Sequence, residues 1–290
     1  MAEARRVGIG LDRVCAVGSL AMLSEAQIEQ FRLQGFLLGP RLVSDTHADL
    51  LVEHMFQVLN GKSQAQPELS RNLLGDNSAR VVYQIVNIWE ADALFREHIY
   101  SESLCSMVAQ LLDHPVVRVW HDQIQYKPPK IGGPTDWHQD HPYWPVLEPA
   151  DLVSAWMALE DASVANGCMW MVPGSHLWGP YKNGTIGTDP ETFAPTPELE
   201  LLPKWTKIEP VPCEVKKGHL LFHHCLTWHG SPCNRSDQGR PAIAVHYMPG
   251  YTRYVPKHGH VMEKRVEVKP GEILQGRYFP TVWDHGPVPH

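Results

Sequence analysis

The apolar positions of the first third of the chain recur at helical spacing. Ser24 and Gln27 form an S-x-x-Q capping pattern ahead of Ile28 and Phe31, and Gly35 supplies a stop. The run FLLGP that follows predicts a short strand or turn. Ser44 opens a second helix carrying Leu50, Leu51, Met55, Val58 and Leu59. A third helical stretch runs from Leu94 to Leu112 and stops at His114–Pro115.

After Pro115 the period changes to two. Val117, Val119, His121, Gln123 and Gln125 alternate with Arg118, Trp120, Asp122, Ile124 and Tyr126, which predicts a strand. Short β-like runs follow at Leu152–Leu159, Cys168–Val172, His219–Phe222 and Pro241–Met248, punctuated by Gly and Pro. Asn166–Gly167 reads as a hairpin turn. Helices first and then many short strands predict a mainly β domain with flanking helices, a sandwich or jelly roll carrying a helical face. Residues 179–212 are rich in Pro, Thr and Gly and show little periodicity, so they read as a lid or inserted loop. The whole chain, 1–290, is read as one domain: a mainly helical part (23–115), a β core (116–250) and a C-terminal extension (251–290).

Composition narrows the classes. The 290 residues are 43% apolar and 20% charged, which is globular usage, and the net charge is −7. No basic stripe points to nucleic acid, and no apolar run approaches the ~18 residues of a membrane span. Cys15, Cys105, Cys168, Cys213, Cys225 and Cys233 include no C-x-x-C pair and read as reduced thiols of a cytoplasmic protein. Val14–Leu23 is mostly apolar, but Glu3 and Asp12 oppose a signal peptide, and the segment reads as a leader before the first helix. The oligomeric state is left open. The unusual numbers are 17 His and 10 Trp. Histidine is the commonest metal ligand and the carrier of protons near neutral pH.

The densest chemistry is TDWHQDHPYWP, 135–145. On a strand, His138 and Asp140 share a face, so an imidazole and a carboxylate converge. A second H-x-D, His47 and Asp49, falls in a helical pattern, where the two side chains diverge. His229 ends a β-like run before the turn residues Gly230–Pro232 and is the expected third ligand. Two histidines and one carboxylate leave coordination positions open and suit non-haem Fe(II). Such iron needs a co-substrate that supplies electrons. Arg240 could grip a carboxylate bidentately and suits the distal carboxylate of 2-oxoglutarate; Ser231 adds a hydroxyl. His141, His223, His224, His176 and His246 read as structural groups or neighbours of the ligands. Aromatic residues near the motif serve both core and pocket; Trp156 is the strongest pocket candidate, with Tyr143 and Trp144 next, and Trp137 and Trp170 are also assigned to the substrate pocket.

These segments resemble the phytanoyl-CoA dioxygenase family of Fe(II)/2-oxoglutarate oxygenases. The resemblance rests on WHQDHPYW (137–144), W-x-A-L-x-D (156–161), NGCMWMVPGSH (166–176), HGSPCNRSDQGR (229–240) and the opening LSEAQIEQFRLQGFLL (23–38). It implies a double-stranded β-helix, a cupin-like jelly roll with the N-terminal helices packed on one sheet. It implies iron held by His138, Asp140 and His229, and 2-oxoglutarate held by Arg240, with Trp156 and Ser231 nearby and Gln123 as a further contact. Some family members use a lysine on an earlier strand; VVYQIVNIW (81–89) has none, so that contact is either missing or replaced, with Gln84 the candidate replacement. The activity implied is oxidation of an unactivated C–H bond of a small organic molecule by O2, with release of succinate and CO2. Halogenating relatives lack the ligand carboxylate, so Asp140 favours hydroxylation or a related oxidation. An aromatic pocket suits a moderately apolar metabolite. A metal-dependent cupin-like oxygenase or isomerase without 2-oxoglutarate, and a non-catalytic binding jelly roll, are the alternatives.

Overall fold

The computed structural model describes residues 21–189, 192–198 and 200–285; the proposed leader up to residue 20, with Cys15, and His290 lie outside them. In chain order the strands are β1 (Phe36–Arg41), β2 (Leu69–Asn72), β3 (Tyr83–Val86), β4 (Val116–Lys127), β5 (Thr135–His138), β6 (Leu147–Glu148), β7 (Val153–Ala158), β8 (Met169–Met171), β9 (Gly187–Thr188), β10 (Pro195–Thr196), β11 (Val211–Cys213), β12 (His219–His224), β13 (His229–Ser231), β14 (Arg240–Pro249), β15 (Arg253–Tyr254) and β16 (Thr281–Asp284). The helices are α1 (Glu25–Gln34), α2 (Asp45–Leu59), α3 (Ile88–Ala91), α4 (Ala93–Ile99), α5 (Glu102–Leu112) and α6 (Leu202–Trp205).

A major sheet of eight strands has the order β1-β12-β7-β14-β4-β3-β2, with β16 also pairing β4; a minor sheet has the order β11-β8-β13-β5. The strand pairs within both are antiparallel. This is the expected jelly roll. One face of the major sheet, with Ile124, Ile243, Val245, Phe222 and Met157, packs on Leu51, Met55, Phe95, Leu104 and Val108 of the helices. The other face meets the minor sheet through Trp156, Ala158, Leu221, Ala242 and Ala244 against Met169 and Met171. That second interface holds the site. No helix among the described residues is long and apolar enough to cross a membrane.

Local signals explain most elements. The capping box at α1 forms as read: Ser24 Oγ accepts the Gln27 N–H, and Gln27 Oε1 accepts the Ser24 N–H. Gly35 ends α1 at φ 78°, and a Cβ there would stand 2.4 Å from His176 Nδ1, so only glycine fits.

Four expectations change. The segment 23–115 is less helical than read, because β1, β2 and β3 all join the major sheet. The Leu94–Leu112 helix is two helices, with Tyr100 closing α4 and Ser101 opening α5; the apolar period runs on because both pack on one core. Asn166–Gly167 is not a hairpin loop. It ends a 3-10 turn between strands of different sheets, with Gly167 at φ 82°. The 179–212 insert contains β9, β10 and α6 and packs through Tyr181, Ile186, Leu201 and Trp205 on Trp137 of β5 and on Trp228, which immediately precedes β13.

Candidate active site

β5 and β13 pair with His138 opposite His229, so two imidazoles from adjacent strands stand side by side with ring centroids 4.1 Å apart. β5 stops at His138, and Asp140 begins a 3-10 turn at φ −70°, ψ −46°. The carboxylate therefore reaches the histidines through a turn and not by strand alternation. Asp140 Oδ1 lies 3.6 Å from the Nε2 of both His138 and His229. All three donor atoms lie within 4.8 Å of one another.

Four features fit this set to a divalent metal. His138 Nδ1–H donates to Asp136 O at 2.7 Å, and His229 Nδ1–H donates to Thr227 O at 2.9 Å. A carbonyl only accepts, so each ring is held as the tautomer whose Nε2 lone pair faces the shared point. Asp140 and His229 are buried and His138 is half-buried, which leaves an approach on the His138 side. Burial works to raise the Asp140 carboxyl, but the surrounding His229, His138 and His223 outweigh it and hold the carboxyl well below its usual range. Burial and the neighbouring His138 push the His229 imidazole well down, so it is neutral, the form that binds a metal.

The second oxygen of Asp140 is held from behind. His223 Nε2 and Ser154 Oγ each donate to Oδ2 at 3.0 Å. Behind Ser154 the bonds run head to tail. His246 meets Ser154 Oγ through Nδ1 at 2.7 Å, Gln123 Nε2 meets His246 Nε2 at 3.0 Å, Gln84 donates to Gln123 Oε1 at 2.6 Å, and Arg71 donates to Gln84 Oε1 at 2.8 Å. With Ser154 donating to Asp140, His246 must carry its proton on Nδ1. Parity along β12 places His223 inward. His224 turns away to Asp151.

Arg240, Ala242, Ala244 and His246 alternate along the inner face of β14. Arg240 is fully buried, its guanidinium lies 5.4 Å from the Trp156 ring, and its Nε and Nη1 have no hydrogen-bond partner. Burial lowers its pKa to about 10, which still leaves it cationic at neutral pH. A buried cation with two orphaned donors, set apart from the His138–Asp140–His229 cluster by the short side chains of Ala242 and Ala244, has the chemistry to receive a carboxylate. His229 opens β13 and does not end a strand, Gly230 and Ser231 continue the strand where a turn was expected, and Ser231 is buried two residues beyond His229.

The remaining expected residues fall in different places. Gln123 is on the inner face, but its amide is engaged at both ends by Gln84 and His246. Gln84 is therefore its partner and not a substitute lysine. Tyr143 is half exposed, packs edge-on to His138 and hydrogen-bonds Thr185 of the insert. Trp144 is buried against His246 and His121, so it is packing and not an open pocket wall. Trp137 and Trp170 are corrected: they alternate with inward residues of β5 and β8, point to the outer face of the minor sheet and line a separate cavity of about 510 Å³ with Phe193 and Pro195. The second H-x-D pair sits in α2, where Asp49 pairs with Lys217. His141 bonds Leu147 O, and His176 bonds Arg32 O, as structural groups.

Sequence reasoning passed over Ser154, Gln139 and Lys127. Gln139, between the two ligand positions, donates to Gly179 O and Leu226 O and accepts from the Tyr181 N–H, so it ties the root of the insert to the site. Lys127 had a signal, since it continues the inward row of Gln123 and Gln125.

The phytanoyl-CoA dioxygenase (PhyH) family model matches residues 31–242, most of the chain. The chain belongs to the phytanoyl-CoA dioxygenase family. It is 33% identical over 158 residues to phytanoyl-CoA dioxygenase domain-containing protein 1 of Mus musculus, covering 54% of this chain and 53% of that protein. It is 26% identical over 276 residues to the peroxisomal phytanoyl-CoA dioxygenase of Bos taurus, covering 89% and 77%. The match thus spans about half the length of the first of these relatives. Among solved structures, the non-haem α-ketoglutarate-dependent carbocyclase SnoK from nogalamycin biosynthesis superimposes with a TM-score of 0.74 at 28% identity, covering 89% of this chain and 96% of that one. The epimerase SnoN, solved with Fe3+, α-ketoglutarate and nogalamycin RO, shares the fold with a TM-score of 0.68 at 22% identity, covering 89% and 98%. The iron-type donor set and the carboxylate receptor of this family member lie on the jelly roll that those oxygenases share.

Proposed function

We propose that the chain is an Fe(II)/2-oxoglutarate-dependent dioxygenase that oxidises an unactivated C–H bond of a small organic metabolite, with release of succinate and CO2. The observation that carries this is the pairing of the His138–Asp140–His229 donor set with the partnerless guanidinium of Arg240 on one inner face. Iron and 2-oxoglutarate, when bound, supply the oxidising chemistry with dioxygen. The chain's own residues orient and enclose. His138 and His229 present Nε2, and Asp140 presents Oδ1 while its other oxygen is restrained. Arg240 takes the distal carboxylate, with Trp156 under its guanidinium and Ser231 beside the slot. Burial of these groups excludes water and strengthens the ionic grip.

The substrate approaches from the half-buried side of His138, beside Tyr143 and the insert. Retention of Asp140 supports C–H oxidation over halogenation, and the likeness to a carbocyclase adds ring closure to the outcomes that an oxidised C–H bond can take. The five described cysteines are buried and free, which supports a reducing, cytoplasmic location.

The test is anaerobic addition of Fe(II) and 2-oxoglutarate, read as the weak visible charge-transfer band expected of the family, followed by succinate formation on exposure to air. His138→Ala and Asp140→Ala should each abolish the band. A folded wild-type protein without the band would overturn the reading.

A further inference from the structure

Lys127 is the last residue of β4 and stands opposite Arg240, the first residue of β14. It is fully buried, and its Nζ donates to Ser231 O at 3.1 Å and to Pro232 O at 2.7 Å. Asn234 Nδ2 returns the tie by donating to Lys127 O at 3.1 Å and to Pro128 O at 3.1 Å. The ionisable neighbours acting on Lys127 are Arg240, Cys233 and Cys168; none is a carboxylate. Burial and the adjacent Arg240 push the Lys127 amine well below its usual range, and a lysine head buried without a carboxylate partner costs more than an apolar side chain of similar volume. Filling space therefore does not account for it.

Its hydrogen bonds define a brace between the sheets. β4 and β14 belong to the major sheet, and β13 to the minor sheet. Ser231 and Pro232 lie two and three residues after His229, with Gly230 between. One end of Lys127 is thus fixed beside Arg240, and the other holds the backbone two and three residues beyond His229. Arg240 has no ion pair of its own to fix its depth, so its distance from the metal position depends on the spacing of the two sheets. We propose that Lys127 is a positioning residue that sets the separation between His229 and Arg240, and with it the length of 2-oxo diacid that the site accepts. This rests on the reading of Arg240 as the co-substrate anchor.

The test is calorimetric titration of the anaerobic Fe(II)-loaded full chain with 2-oxoglutarate and with 2-oxoadipate, one methylene longer. Lys127→Met should weaken 2-oxoglutarate binding about tenfold, the size of losing two buried hydrogen bonds. It should also lower the preference for 2-oxoglutarate over 2-oxoadipate by at least about threefold. Lys127→Gln, which keeps a donor on a shorter stem, is read by the same preference ratio if the Met variant does not fold. An unchanged ratio in the folded variants, whatever happens to their melting temperature, overturns the proposal and leaves Lys127 a stability residue. Arg240→Ala separates the two ideas. If it leaves 2-oxoglutarate binding unchanged, the anchor reading itself fails; if it weakens binding while the Lys127 variants keep the ratio, only the brace fails.

Discussion

Asp140 divides its two oxygens between two tasks. Oδ1 faces His138 and His229, and Oδ2 is saturated by His223 and Ser154. A carboxylate held on one oxygen cannot swing its other oxygen out of the donor set. Partners of this kind are typically worth about 10–100-fold in metal affinity. His223→Phe is therefore expected to weaken Fe(II) binding by about that factor while the fold persists, as read by anaerobic metal titration alongside circular dichroism. Unchanged affinity would mean that the Asp140 backbone alone aims the carboxylate. His138 and Asp140 were legible because an imidazole and a carboxylate two apart beside a dense aromatic motif are an uncommon pattern. Ser154 was not, since a serine in an apolar strand carries no signal until its partner across the barrel is known. Trp137 and Trp170 were misassigned because closeness in sequence to a ligand says nothing about which face of a strand a side chain takes.

At the scale of elements, most long periodic segments were readable and several short ones were not. α1, α2, α5, β4 and β14 repeat their pattern several times. β2, β3 and β13 have three or four residues each and show no period. The break between α4 and α5 was hidden by a shared core. α4 also carries a charge-sensitive group. His98 is buried, its Nε2 has no partner, and burial, with His47 nearby, pushes its pKa down to about 4. The unfolded chain takes up a proton near pH 6.5 and the folded chain only near pH 4. The neutral ring thus costs nothing above about pH 6.5, and stability is lost as the pH falls from there toward 4. Between pH 7 and 5 the loss amounts to roughly 2 kcal/mol from this residue. Urea denaturation of wild type and His98→Leu at the two pH values should show a smaller loss in the variant. Equal losses would place the acid sensitivity elsewhere.

The whole molecule places the site between its layers: His229 belongs to the minor sheet, Arg240 to the major sheet, and Lys127 and the Asp140–Ser154 bond join them. Ligands that bind between layers stabilise the fold by mass action, about 2.7 kcal/mol at a hundred times the dissociation constant. Anaerobic thermal unfolding should therefore rise with Fe(II) and again with 2-oxoglutarate. Arg240→Ala should keep the first increment and lose the second; retention of both would detach Arg240 from co-substrate binding. The helices α1 and α2, the long strands β4 and β14 and the metal-ligand types are local or strongly patterned, so one sequence sufficed to read them. The outward turn of Trp137 and Trp170, the locking of Asp140 by His223 and Ser154, and the brace from Lys127 depend on which strands face each other across the barrel. Such pairings join residues as far apart as 140 and 223 or 127 and 231. Only the closed sheets decide them, because no local propensity encodes a partner on another strand.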